Sequence, residues 1–82
     1  MIFDLKNLEE IVDHFLEDEL EHLELCIFED TGGDLVNFDF MDSTESVRFI
    51  ENKYPRHTSN IAYNLLKLDV EIQNEKSKNV MP

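Results

Sequence analysis

The chain has 82 residues, 41% of them hydrophobic, with seven Lys/Arg against 19 Asp/Glu and a formal net charge of −12. That length allows one small domain with a modest core, and the apolar content, with six Phe and two Tyr, excludes an acidic disordered tail. The single Cys26 excludes an intramolecular disulfide and fits a reducing compartment, no apolar run approaches the ~20 residues of a membrane span, and no signal-peptide pattern follows Met1.

The charge is unevenly placed. Residues 1–42 hold fourteen acids against Lys6 alone, net −13, while residues 43–82 hold six bases against five acids, net +1. Self-repulsion on this scale works against compactness, so packing alone does not favour it, whereas a strongly basic partner does. The same field repels phosphate, which disfavours nucleic acid as a direct ligand.

In chain order, Asp4 is a candidate N-cap, followed by Leu5, Leu8, Ile11, Val12, Phe15 and Leu16 at helical spacing. Glu10, Asp13, Glu17 and Glu21 recur at steps of three and four on the opposite face. Glu19 falls inside the apolar stripe, so the spacing predicts a helix that ends near Asp18. From Leu23 the period changes to two. Leu23, Leu25 and Ile27 alternate with Glu24, Cys26 and Phe28. Beyond Asp30-Thr31-Gly32-Gly33-Asp34, Val36, Phe38 and Phe40 alternate with Asn37 and Asp39. Two alternating runs around a Gly-Gly turn predict a β-hairpin.

Asp42-Ser43-Thr44-Glu45 has capping-box spacing and opens a short helix through Val47, Phe49 and Ile50, stopped before Pro55. For the last element, Ile61, Leu65, Leu68 and Ile72 fit a helix opened by Thr58 or Ser59. Leu66, Leu68, Val70 and Ile72 also alternate as a third strand would. The helix is the favoured expectation. The fold class expected is therefore α+β: an N-terminal amphipathic helix, a β-hairpin, then one or two helices. It forms a single domain over 1–74 with a flexible polar tail over 75–82.

Carboxylates three or four residues apart on a helix lie roughly 5–6 Å from one another, close to the interval between phosphates on a nucleic-acid strand. The acidic residues expected to meet a basic partner are Glu9, Glu10, Asp13, Glu17, Asp18 and Glu21 on the first helix. Glu24, Glu29, Asp30, Asp34 and Asp39 carry the array across the hairpin and its turn.

Chemistry of other kinds has little support. His14, Asp18 and His22 at steps of four would align on a continuous helix, but no second cluster completes a tetrahedral metal site. Asp30-Thr31-Gly32 spells the aspartic-protease tripeptide, yet Glu29 precedes it where an apolar residue belongs, and a turn accounts for it. Cys26 lies in the most negative part of the chain, the opposite of what a reactive thiolate needs. With two Gly in all there is no phosphate cradle. The expectation is a protein without catalytic residues, cofactor or metal. The aromatic residues Phe28, Phe38, Phe40, Phe49, Tyr54 and Tyr63 are expected mostly in the core, and any on the outer face of the hairpin, within the acidic rim, would be candidate interface anchors.

In size, acidity and patterning the chain resembles the small acidic DNA-mimic proteins with which phages and mobile elements block host DNA-binding proteins. The targets of that class include restriction enzymes, CRISPR nucleases, a repair glycosylase and the nucleoid protein HU. The resemblance implies a stoichiometric inhibitor, monomer or homodimer, in the cytoplasm of a bacterial host, with a nucleoid protein such as HU as its implied target. An antitoxin or immunity protein that neutralises a basic toxin such as a nuclease would show the same electrostatics.

Overall fold

The computed structural model describes residues 4–80. It is all-helical, with three α-helices and no strand among the described residues: α1 over Leu5–Thr31, α2 over Ser43–Lys53 and α3 over Ile61–Val80. Short 3-10 turns at Phe38–Phe40 and Pro55–His57 punctuate the connections.

Asp4 caps α1 as expected, its Oδ1 accepting the Asn7 N–H at 3.2 Å. The helix then continues past Asp18 for three more turns, which removes the β-hairpin. Leu16, Leu20, Leu23 and Ile27 follow one another at four, three and four residues, so the core stripe of the first turns persists, and Leu23 and Ile27 are fully buried. Glu19 lies at the edge of that stripe and is half-buried, a position its long side chain tolerates by reaching outward. What resembled a hairpin turn is the C-terminus of α1. Gly32 takes a left-handed φ of 76°, the Gly33 N–H donates to the Phe28 carbonyl at 2.9 Å, and Thr31 Oγ1 donates to the Ile27 carbonyl at 2.7 Å.

The segment expected to be the second strand is a loop and a 3-10 turn that lies back along α1. Phe38 is buried whereas Phe40 is 85% exposed, although in a strand they would share a face. Glu24 Oε2 accepts the Phe38 N–H at 2.9 Å and fixes this return.

Asp42 caps α2, with its Oδ1 accepting the Glu45 N–H at 2.8 Å, and the helix stops before Pro55 as the sequence indicates. Asn60, rather than Thr58 or Ser59, serves α3, its Oδ1 accepting the Ala62 N–H at 2.9 Å. The third strand is likewise absent. Ala62, Leu66 and Ile72 are buried, all on one helical face, and α3 continues through Val80, across much of the segment expected to be a tail; Met81 and Pro82 lie outside the described residues.

The start of α1 lies beside the end of α3, and the end of α1 beside the turn that precedes α3, so the two helices run antiparallel. Both α1 and α2 pack on α3. Leu23, Ile27, Phe38, Ile50, Tyr54 and Leu66 form the centre of the core, each contributing roughly 1.5–3 kcal/mol through burial. Phe49 packs edge-to-face on both Phe38 (6.1 Å) and Tyr54 (5.5 Å). The result is a rod of 48 × 21 × 20 Å with one long helix forming an entire side.

Candidate protein-binding surface

α1 divides its carboxylates into two groups. Glu10, Asp13, Glu17 and Glu21 stand on one exposed line along a flank of the helix beside the core stripe, rising ~4.5–6 Å per step. Asp18 is exposed on the neighbouring line, Glu29 near the helix end and Asp39 on the first 3-10 turn. None of these seven side chains has a hydrogen-bond or ion-pair partner among the described residues.

The other four expected site residues hold the fold together. Glu9 accepts from Lys76 Nζ at 2.8 Å and from Gln73 Nε2 at 3.1 Å, joining the two ends of the α1–α3 pair. Those donors hold its carboxyl below the ordinary value, and the carboxylate in turn raises Lys76. Glu24 anchors the returning loop. Asp30 pairs with Arg56 at 3.4 Å and His57 at 3.3 Å. Asp34 accepts from the Tyr54 hydroxyl at 3.0 Å, and burial together with that bond pushes the phenol up.

Apart from Lys6, exposed in the first turn of α1 one turn before Glu10, the basic residues lie elsewhere. Lys76, Lys78 and Arg56 are in ion pairs, Lys53 sits over the Phe49 ring at 5.8 Å and Lys67 over Tyr63 at 5.6 Å. Lys76, paired with Glu9, also feels the charge of Asp13, while none of these cations forms an ion pair with Glu10, Glu17 or Glu21. His14, Asp18 and His22 do align, because α1 runs through them, but no group of three or more His, Cys, Asp or Glu side chains is placed to hold a metal ion among the described residues. Cys26 is half-buried on α1. Asp30-Thr31-Gly32 is the helix terminus described above and presents no paired carboxylate.

Beside the acids, α1 exposes Ile11 (46%), Phe15, Leu25 (58%) and Phe28, and the loop exposes Leu35 and Phe40. Phe28 and Phe40, expected mostly in the core, are exposed within the acidic rim, although not on the hairpin face the sequence pattern suggested. Ile11 and Phe15, expected in the apolar stripe of the first helix, are exposed as well, and Leu25 and Leu35 were not expected at the surface. In the hairpin register Leu25 shared a face with buried Leu23 and Ile27, whereas the helix turns it to solvent. The usable signal was helical phase: Leu25 falls outside the series Leu16, Leu20, Leu23 and Ile27.

No helix of the described residues is long and apolar enough to cross a membrane. Neither a protein-family model, nor a curated protein, nor a solved structure matches the chain.

Proposed function

We propose that this protein is a stoichiometric inhibitor whose helix α1 occupies the basic, nucleic-acid-binding surface of another protein. The observation that carries the proposal is the row Glu10, Asp13, Glu17 and Glu21. It is rigidly spaced on one helix and its members form no hydrogen bond or ion pair among the described residues, while five of the chain's seven Lys and Arg are engaged elsewhere. A groove lined with Lys and Arg attracts such a row as it attracts a phosphate backbone. By resemblance of class the target is a bacterial host protein, a nucleoid protein such as HU or a restriction, CRISPR or repair enzyme. The apolar side chains beside the row favour a second reading, an antitoxin or immunity protein against a basic toxin such as a nuclease, since a toxin surface offers apolar as well as cationic contacts.

The test is a low-salt pull-down from a bacterial lysate, followed by competition between the recovered protein's nucleic acid and this chain. Displacement of the nucleic acid supports the first reading, and capture of a toxin that binds none supports the second. The combined variant Glu10→Gln, Asp13→Asn and Glu17→Gln should weaken binding by about tenfold or more, with a matching loss in association rate. Glu45→Gln with Glu71→Gln and Glu75→Gln removes as many charges from exposed positions on α2 and α3 and should change little. Recovery of neither a nucleic-acid-binding protein nor a toxin would overturn the proposal, and equal loss in both variants would reduce it to net charge.

A further inference from the structure

Between the last turns of α1 and the returning loop lies an open cleft of about 490 Å³ with apolar walls from Leu25, Phe28, Leu35 and Val36. A second cleft, of about 350 Å³, lies along the other flank of Leu35 and Val36 and reaches Glu17 and Asp39. Glu21 and Glu24 line both, Asp34 lines the first, and no Lys or Arg lines either. The apolar exposure is built into the fold. Leu35 is 89% exposed, yet the loop on each side of it is fastened, at Asp34 by the Tyr54 hydroxyl and at Phe38 by Glu24 and by burial in the core. Exposing a leucine on a fastened loop forgoes stabilisation that burial would supply.

We propose that this cleft docks a short basic segment of a partner protein, with one apolar side chain (leucine, methionine or an aromatic) seated against Leu25, Phe28 and Leu35. Lysines or arginines flanking that anchor meet Glu17, Glu21 and Asp39. The inference rests on the reading of a basic partner and adds how that partner is recognised. Carboxylates select the sign of the surface and speed the encounter, while the apolar anchor supplies a contact that salt does not screen and that a phosphate backbone cannot reproduce. A second copy of this chain fits poorly, because it would bring one acidic rim against another.

The experiment titrates the full chain calorimetrically with two lysine-rich peptides equal in length and charge. One carries a single central leucine, and the other carries serine there. The leucine peptide should bind about tenfold or more tighter, and should keep that advantage when salt is raised to about 0.5 M. Leu25→Gln combined with Leu35→Ser should remove the advantage, with circular dichroism unchanged because both side chains are exposed. Ile61→Gln, an equally exposed apolar site at the start of α3, should retain it. Equal affinity for the two peptides would overturn the cleft proposal and leave the basic-partner reading standing. Binding of neither peptide would overturn both. A concentration-dependent dimer abolished by the Leu25/Leu35 variant would overturn the basic occupant in favour of a second copy.

Discussion

Around α2 and α3, Asp42 caps a helix, Glu51 accepts the Tyr63 hydroxyl at 2.5 Å, Asp69 accepts the Ser43 hydroxyl and Glu75 pairs with Lys78. Along α1, Glu10, Asp13, Glu17, Asp18 and Glu21 hold nothing. Glu45 and Glu71 on those helices also lack partners among the described residues, but α1 gathers its unpartnered carboxylates in one row, and that contrast isolates what folding asks of a carboxylate. Where the fold needs one, it supplies a donor. Where it does not, like-charge neighbours three and four apart cost a few tenths of a kcal/mol per pair with no internal return. A lysine one turn along would have relieved that cost, as Lys78 does for Glu75. Lys6 stands one turn before Glu10 and Lys76 lies near Asp13, but no Lys or Arg stands within a turn of Glu17 or Glu21 on α1, and that uncompensated stretch is what a demand from outside the molecule would explain.

The contrast breaks most visibly across the two faces of α1 itself. Leu23→Ala removes a fully buried side chain and should cost about 3 kcal/mol, lowering the melting midpoint by more than ~10 °C in a domain of this size. A shift of only a degree or two would mean that α1 is not seated as described. Next in size, Glu24→Ala should cost about 1–3 kcal/mol, since it leaves the Phe38 N–H without its acceptor, while Glu21→Ala should stay within about 0.5 kcal/mol. Chemical denaturation of the two variants in parallel checks this, and equal losses would erase the division between structural and unpartnered acids.

Smaller again, neutralising Glu10, Asp13 and Glu17 together should leave stability unchanged or raise it by a few tenths of a kcal/mol per relieved pair, an increase that fades with added salt. A clear loss would show that the row does support the fold. The smallest effect concerns the clasp at Glu9. Its carboxyl lies below the ordinary 4.5, so the clasp's contribution is complete above that value and is lost as pH falls through the depressed one. Lys76→Met should therefore melt slightly below the wild type at neutral pH, and the gap should close in acid. A gap that persists unchanged in acid would assign it to packing instead of charge.

The local signals at the helix starts were legible. Asp4 and Asp42 cap where their sequence contexts place them, because an N-cap is decided by a side chain and a backbone only two or three residues away. The middle of the chain was not, since the run from Leu20 to Ile27 satisfies a period of two as well as one of 3.6. Only continuity with Val12 and Leu16 on the same face selects the helix, and that depends on letting Glu19 sit at a buried edge. Gly32 could not arbitrate, because both a tight hairpin and a helix terminus want a residue at positive φ. For the surface, sequence supplied the acidic line Glu10, Asp13, Glu17 and Glu21 through spacing alone. It gave no means of separating Glu9, Glu24, Asp30 and Asp34, whose partners are 14 to 67 residues away along the chain (Phe38 for Glu24, Lys76 for Glu9).

The clasp between Glu9 and Lys76 also settles where the molecule can be handled. It holds both ends of the described chain at one end of a 48 Å rod, while the cleft around Leu35 lies toward the other. A fluorophore attached beside this clasp, at Lys6 of α1 or at Gln73 of α3, should therefore stand clear of the cleft.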